Sequence, residues 1–306
     1  MCLAAFALGC HPRFPLVIAA NRDEYFHRPT APMAWWPVAA GGDLDRAILA
    51  GRDLSAGGTW MGLSRAGRFA LLTNVRTGQT APAGRPSRGL LVPLWLQGEQ
   101  PDLPLPGPAE VHAWAEQQGQ ADYNLILADL APGHPAGGST APAGPAAGTW
   151  HALRAGPDGL QALPPAPPGS PAPSGGRIHA VSNGRLDEPW PKLQRLTRAL
   201  AAGLDDGRAT RDSLLARLFE ALADDRRADD ADLPRTGVPL EAERMLSSVF
   251  IRSESGHYGT RCASVLLVEA GRGALVVERS FGPDGQVTGE VRVELPGWPA
   301  PGPLPG

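Results

Sequence analysis

The sequence predicts an α+β fold in which sheets and helices form separate layers. Its strand-like and helical segments occur in groups along the chain, whereas a doubly wound nucleotide-binding sheet alternates them strictly. Apolar residues make up 42% of the 306 positions, which is enough to bury a large core. The 38 glycines and 33 prolines are about twice the usual share, but 21 of them lie in 131–177. The rest of the chain has an ordinary globular composition, which excludes collagen and wholesale disorder.

A β-hairpin is predicted at the start of the chain. The apolar runs 2–9 and 16–20 are separated by His11-Pro12-Arg13, which favours a turn. Position 2 therefore opens the first strand. A polar run from Asn21 to Arg28 follows the second strand.

Four segments have the apolar spacing of helices, and three of them have residues suited to a helix start. Ser87 and Pro108 are suited to the beginnings of the first two, and Pro189 to the first turn of the third. The predicted helices are 87–97, 108–118, 188–204 and 211–223. The segment 50–62 is rich in glycine, and no strand is predicted there.

The remaining apolar runs predict strands, most of them joined by turn residues. They lie at 69–75, 123–130, 150–153, 160–163, 178–182, 248–252, 263–269, 274–281 and 287–295. The last four predict an antiparallel meander. The Pro/Gly-rich segments 131–149 and 164–177 are interpreted as flexible insertions, and 296–306 as a disordered tail. Residues 1–295 then form a single domain.

Charge and composition exclude several partners and cofactors. The net charge is −3 and the arginines are scattered, so no nucleic-acid partner is expected. No run of 18 apolar residues predicts a membrane-spanning helix. The histidines are unclustered, and neither a P-loop nor a haem-attachment motif is present, so no metal or cofactor is expected. Lys192 is the only lysine, which argues against lysine chemistry.

The three cysteines are odd in number and unclustered, which favours a reducing compartment, with the cytoplasm as the default. A lipid anchor on Cys10 is an alternative, since Ala7-Leu8-Gly9-Cys10 resembles a lipoprotein cleavage site. The preceding apolar segment is short for an export signal. That alternative requires Met1 to Gly9 to be missing from the mature chain.

Cys2 permits a compact form of nucleophilic catalysis. A small second residue generally allows removal of the initiator Met, which leaves a thiol and a free α-amine on one residue. The amine has a reference pKa of about 7.7–8.0 and the thiol one of about 8.5, so the amine can accept the thiol's proton. The alternative interpretation is a small apolar residue at a strand start.

The segment Asn21-Arg22-Asp23-Glu24 lies where the hairpin returns towards position 2. A carboxylate there can orient the amine, and a guanidinium favours the thiolate. Taken alone, the segment is more typical of a solvated charged turn. Its position opposite Cys2 makes the catalytic interpretation stronger.

Several short motifs together resemble the NRDE family, which is also called the transport and Golgi organization family. Their combination and order, across roughly 1–265, are specific even though each motif alone is weak. The motifs are Met1-Cys2, Ala20 to Glu24, Ala50-Gly51-Arg52-Asp53, Gly57-Gly58-Thr59-Trp60, Ser182-Asn183-Gly184, Asp187 to Lys192 and Gly259-Thr260-Arg261-Cys262.

The resemblance implies a four-layer αββα sandwich of the N-terminal-nucleophile hydrolase type, related to penicillin V acylase and bile-salt hydrolase. By position, Cys2 matches the nucleophile and Arg22 and Asp23 match the residues that engage it. Asn183 resembles the oxyanion-binding amide, Asn74 is a looser second match, and Arg261 resembles a late arginine. Asp53 and Trp60 belong to the pattern without an assigned step.

Two functions follow from these residues and the resemblance. The first is hydrolysis of an amide C–N bond, with Cys2 as nucleophile and its own α-amine as base. The second is non-catalytic binding or trafficking through the same pocket, because relatives are associated with secretory organization and with haem or lipid handling. Either way, the expected partner is a small molecule: an amide, a lipid or haem.

Overall fold

A computed structural model describes residues 2–37, 42–78, 84–100, 103–130, 148–156, 159–163 and 178–299. Within these ranges the chain forms strands and α-helices in the following order: β1 Cys2–Leu8, β2 Leu16–Tyr25, β3 Thr30–Trp35, β4 Ile48–Asp53, β5 Met61–Ser64, β6 Arg68–Asn74, α1 Leu91–Gln97, α2 Pro108–Gln117, β7 Tyr123–Asp129, β8 Thr149–Arg154, β9 Leu160–Ala162, β10 Ile178–Val181, α3 Pro191–Asp205, α4 Arg211–Leu222, α5 Leu240–Met245, β11 Tyr258–Glu269, β12 Gly273–Phe281 and β13 Val287–Pro296.

The strands form two antiparallel sheets. The six-stranded sheet has the order β10-β1-β2-β11-β12-β13, so the N-terminal hairpin lies inside it. The seven-stranded sheet has the order β3-β4-β5-β6-β7-β8-β9 and follows the chain from neighbour to neighbour. The predicted hairpin is confirmed, with Cys2 paired to Arg22 and Leu8 to Leu16.

Three apolar cores separate four layers. Side chains of both sheets meet in a central core that includes Phe6, Leu71 and Trp150. A second core packs α3 and α4 on the outer face of the six-stranded sheet. A third packs α1 and α2 on the outer face of the seven-stranded sheet. The predicted α+β class and the four-layer αββα order are therefore confirmed.

Residues of β1 and β2 divide between the two faces of their sheet because strand side chains alternate. The even-numbered residues from Cys2 to Leu8 lie in the central core. Leu3, Ala5 and Ala7 lie in the core beneath the helices. The hairpin is buried on both faces, so a mature chain starting at Cys10 would lose a strand that pairs with both β2 and β10.

The glycine-rich segment 50–62, for which the sequence predicts no strand, contributes to the seven-stranded sheet. It contains the end of β4 and the start of β5, which pair with each other. At Gly62, an added Cβ would lie 3.0 Å from the Ala50 Cβ and 3.2 Å from the Leu96 Cδ1. Glycine is used here for the close approach of α1 to the sheet, rather than for a loop.

The predicted strand at 248–252 is wrong. Only an isolated bridge joins Arg252 to Gly259. The backbone N–H of Phe250 donates to the Asp224 carbonyl, and that of Ile251 donates to the Thr260 hydroxyl. The segment bonds to the end of α4 and to a side chain, so the meander contains the three strands β11, β12 and β13.

Part of the predicted tail is ordered. Trp298 is buried in the central core, and its indole Nε1 donates to the Ser64 carbonyl at 2.9 Å. The tail therefore begins later than 296. Most of the two predicted insertions, and residues 300–306, lie outside the described residues. In the described ranges, no helix is both long and apolar enough to cross a bilayer.

Candidate active site

A row of paired residues crosses the six-stranded sheet at the end where β1 begins. Cys2 pairs with Arg22, Arg22 with Cys262, Cys262 with Ser280, and Ser280 with Gly289. A register shift between Thr260 and Cys262 leaves Arg261 as the extra residue of a bulge. This shift places Cys262 rather than Arg261 opposite Arg22.

All five residues of this row line one cavity of about 480 Å³. The opposite wall comes from the seven-stranded sheet and its connections. It includes Thr59 and Trp60 before β5, Asn74 at the end of β6, and Arg88 between β6 and α1. Of the six residues predicted for the site, five line this cavity: Cys2, Arg22, Asp23, Asn74 and Arg261. The cavity is therefore the candidate active site.

Cys2 is held at the floor of the cavity with its thiol mostly buried. Its carbonyl accepts a hydrogen bond from the Ser182 hydroxyl at 3.0 Å, which ties β1 to the end of β10. Burial raises the pKa of the Cys2 thiol to about 11, although the nearby charge of Arg22 lowers it. The thiol is therefore protonated at neutral pH, and attack by sulfur needs a base.

Arg22 and Asp23 project to opposite sides of β2. Arg22 lies on the cavity side, where its Nη1 donates to the Thr30 hydroxyl at 3.3 Å and its Nη2 lies 3.8 Å from both Glu24 and Asp53. Asp23 lies on the side of the helices, and it also lines the cavity. Its Oδ1 accepts from the Thr260 hydroxyl at 2.7 Å.

The charge on Asp23 is opposed by a buried ammonium on the helix side of the sheet, that of Lys192 on α3. Burial raises the pKa of Asp23, whereas the ammonium of Lys192 lowers it more than any other side chain. Lys192 is itself buried on α3, and burial lowers the pKa of its amine to about 8. The charge of Asp23 acts in the opposite direction and raises the pKa of Lys192.

The two predicted amide donors are neighbours with different roles in the structure. The Asn183 Nδ2 donates to the Asn74 carbonyl at 2.8 Å, and its Oδ1 accepts from the Ser182 hydroxyl. Asn183 therefore links the segment after β10 to the end of β6, and it is not among the residues that line the cavity. The Asn74 side chain lines the cavity, and no described residue forms a hydrogen bond with its amide.

Arg261 lies at the rim and organises the turn after β2. Its Nη1 donates to the carbonyls of Tyr25 and Arg28, both at 2.9 Å. Its guanidinium carbon lies 4.9 Å from the centre of the Phe26 ring. These contacts fix the side chain close to Cys262 and Arg22.

Asp53 links the two sheets beside the cavity. It accepts a 2.7 Å hydrogen bond from the Arg28 Nε and also accepts from the backbone N–H groups of Ser55 and Ala56. Burial raises the pKa of Asp53, but the bond and charge of Arg28 outweigh it and hold the pKa below its usual value. Asp53, which had no role from the sequence, is a structural anchor for Arg28 and Arg22.

Sequence reasoning missed Lys192 and Arg88. A single lysine argues against lysine chemistry, yet Lys192 lies in one of the motifs that resemble the family, Asp187 to Lys192. Arg88 follows the predicted helix start Ser87 without standing out among many arginines. The described residues contain no group of three or more His, Cys, Asp or Glu side chains arranged to hold a metal ion.

Comparisons with known proteins agree with the motifs. A profile of the family Transport and Golgi organisation 2 matches residues 1–283. The chain belongs to this family. Three relatives carry the same family name, and each aligns over nearly its whole length. The Transport and Golgi organization protein 2 homolog of Homo sapiens is 28% identical over 296 residues, covering 92% of this chain and 93% of that protein.

The other two relatives align over similar lengths. The Bos taurus homolog is 27% identical over 296 residues, covering 92% of this chain and 93% of that protein. The Drosophila melanogaster protein is 25% identical over 281 residues, covering 88% of each. The family match extends through β12, so it contains every residue predicted for the candidate active site.

Two solved structures of conjugated bile acid hydrolase variants from Clostridium perfringens are also similar to this chain. One has a TM-score of 0.43 and 10% identity, and covers 95% of this chain and 92% of that chain. The other has a TM-score of 0.45 and 9% identity, with the same coverage.

Proposed function

We propose that this member of the Transport and Golgi organisation 2 family is a cysteine hydrolase that cleaves amide C–N bonds with Cys2 as its nucleophile. The observation that carries the proposal is the position of Cys2. It is the first residue of an interior strand, and it opens into a cavity also lined by Arg22, Asp23 and Asn74.

The raised thiol pKa is consistent with a mechanism that supplies its own base. Once Met1 is removed, the α-amine of Cys2 lies on the same residue as Sγ and accepts its proton. The Asp23 carboxylate, fixed by Thr260, orients this amine and stabilises the ammonium form. The charge of Lys192 opposes the rise that burial causes in the pKa of Asp23 and so favours the carboxylate.

The reaction then proceeds in two halves. Sγ attacks the amide carbonyl carbon, and the electron pair of the C=O bond moves onto oxygen, which accepts a hydrogen bond from the Asn74 amide. The C–N bond breaks as the leaving amine takes the proton from the α-ammonium, which leaves a thioester. Water, deprotonated by the α-amine, attacks the thioester, releases the carboxylic acid and restores the thiol.

The test combines the mature N-terminus with turnover. Intact mass should show a chain that lacks Met1, and a panel of N-acyl amides should include one that is hydrolysed. Cys2→Ala should abolish turnover, whereas Cys10→Ala, which removes a buried thiol in the hairpin turn outside the cavity, should retain it. Rapid acid quenching should trap an acyl group on the peptide that contains Cys2.

Two results would overturn this function. One is an active protein that retains Met1, and the other is undiminished turnover by Cys2→Ala. A protein that hydrolyses no amide but binds a lipid or haem in the cavity would instead support non-catalytic binding or trafficking.

A further inference from the structure

The arginines of the cavity differ in whether a carboxylate neutralises them. Five of them line it: Arg22, Arg28, Arg52, Arg88 and Arg261. Arg28 and Arg22 share Asp53, at 2.7 and 3.8 Å. In the described part of the chain, Arg52, Arg88 and Arg261 form no ion pair with a carboxylate.

The carboxylates of the cavity have partners other than these three arginines. Glu290 pairs with Arg279 at 2.7 Å. Glu278 is buried and accepts from the Met33 N–H and the Ser264 hydroxyl. Glu24 lies nearest to Arg22, and Asp23 is held by Thr260. Within the described residues, the cavity therefore contains guanidinium groups that form no close ion pair.

Arg88 lines the same cavity as Cys2 and is held in place by a backbone carbonyl. It follows β6 on the wall opposite β1, and its Nη1 donates to the Asp122 carbonyl at 2.8 Å. Burial lowers the pKa of Arg88, while the charges of Asp122, Glu24 and Cys2 raise it. The guanidinium thus lies within electrostatic reach of the Cys2 thiol.

The other two arginines without an ion pair, Arg261 and Arg52, contact backbone carbonyls and aromatic rings. Arg261 gives one nitrogen to two backbone carbonyls and stacks on Phe26. Arg52 is exposed, and its guanidinium carbon lies 4.7 Å from the centre of the Trp36 ring. Arg88 retains further N–H groups of a planar fork, and such a fork matches a carboxylate.

We propose that Arg88 binds a carboxylate of the ligand across the cavity from Cys2, so that the site selects amides with a negative charge close to the scissile bond. The carboxylates of Asp122 and Glu24 act on Arg88 through their charge, but neither forms an ion pair with it. A partly buried guanidinium in this position gains a direct, charge-assisted contact when an anion binds it. Because two carboxylates already oppose its charge, a monoanion suits the site better than a dianionic phosphate. The inference about the substrate rests on the proposed hydrolase function, but binding of the anion does not.

The test compares iodoacetate with iodoacetamide, two alkylating reagents of similar size that differ in one negative charge. In both reactions the Cys2 thiolate attacks the CH₂ carbon and displaces iodide, so the ratio of the two rates cancels the thiolate fraction. Peptide mass spectrometry measures the labelling of Cys2 separately from that of Cys262. Arg88→Gln should lower the iodoacetate-to-iodoacetamide ratio by about tenfold, the lower end expected for a hydrogen bond to a charged group.

The control for net charge is Arg208→Gln. Arg208 is exposed in the connection between α3 and α4, outside the cavity. Its replacement should therefore leave the iodoacetate-to-iodoacetamide ratio within about twofold of wild type. Arg88→Lys keeps a cation but loses the fork, so its ratio should lie between the two. An equal effect of Arg88→Gln on both reagents would overturn the proposal.

A second measurement needs only the wild-type chain and holds even if Arg88→Gln does not fold. N-acetylglycine should slow the labelling of Cys2 by iodoacetamide, whereas N-acetylglycinamide, its neutral counterpart, should protect at least tenfold less well. Equal protection, or no labelling of Cys2 by either reagent, would also contradict the proposal. Because both measurements work on a protein without turnover, they separate failure of this proposal from failure of the hydrolase function.

Discussion

Lys192 and Asp23 are buried groups of opposite charge, and each shifts the pKa of the other. The ammonium lowers the pKa of the carboxyl group, and the carboxylate raises the pKa of the amine. Lys192 also lies 5.8 Å from the centre of the Trp190 ring, near the buried ion pair between Arg76 and Glu243. A residue of the helix layer therefore influences the pKa of a carboxyl group that lines the candidate active site.

Replacing Lys192 by Met should shift the acidic limb of the pH profile of kcat/KM to higher pH. Loss of the ammonium removes the charge that opposes the burial of Asp23, so the pKa of Asp23 rises and the carboxylate is protonated over a wider acidic range. Turnover should therefore fall more at pH 6 than at pH 8. Steady-state kinetics across pH 5–9 measure the limb.

Lys192→Arg is the matched control, since it keeps the positive charge and should keep the limb close to that of wild type. Asp23→Asn should lose activity at every pH. If Lys192→Met lowers kcat/KM by the same factor at every pH and leaves the acidic limb unmoved, Lys192 acts only through packing.

The two asparagines should separate catalysis from stability. Asn74→Ala should lower kcat by about 10²–10³-fold with little change in KM, because one donor to the oxyanion is lost. Asn183→Ala should instead lower the free energy of unfolding by about 1–3 kcal/mol, since it leaves the Asn74 carbonyl without its donor. Chemical denaturation and single-turnover kinetics on both variants would distinguish them, and a reversed pattern would exchange their roles.

Asp53→Asn should destabilise the protein in a pH-dependent way. The pKa of Asp53 is held below its usual value, so its contribution is present above the unfolded pKa of about 4 and is lost as pH falls through the folded value. The variant should be about 1–2 kcal/mol less stable at pH 7, with a gap to wild type that narrows below pH 4. Urea denaturation at several pH values measures the gap.

The control for Asp53→Asn is Asp212→Asn, which alters an exposed pair with Arg292 at 3.5 Å. It should change the free energy of unfolding by less than about 0.5 kcal/mol. A constant gap between Asp53→Asn and wild type across pH would show that the carboxylate charge is irrelevant.

Trp298 should mark the end of the folded domain. Trp298→Ala should lower the free energy of unfolding by about 3–5 kcal/mol, because it empties part of the central core and removes the bond to Ser64. A chain truncated after Pro299 should unfold with the same midpoint as the full chain in thermal denaturation. Destabilisation by that truncation would extend the domain beyond residue 299.

The sequence by itself determined the elements with strong local patterns and indicated Cys2 as the candidate nucleophile. The alternation in β1 and β2, the helical spacing of Leu193 to Leu204, and the position of Cys2 opposite Arg22 all follow from local periodicity and a short turn. The order of the motifs was enough to indicate the family.

Only the tertiary structure decided where glycine belongs to a sheet and which charges meet. The sequence around Gly62 indicates a loop. The position requires glycine because α1, which follows much later in the chain, packs closely against the sheet there. Lys192 and Arg88 resemble ordinary charged residues, because their importance comes from burial beside Asp23 and across from Cys2. Burial and long-range electrostatics depend on which layers stack, and no local pattern in the chain records that.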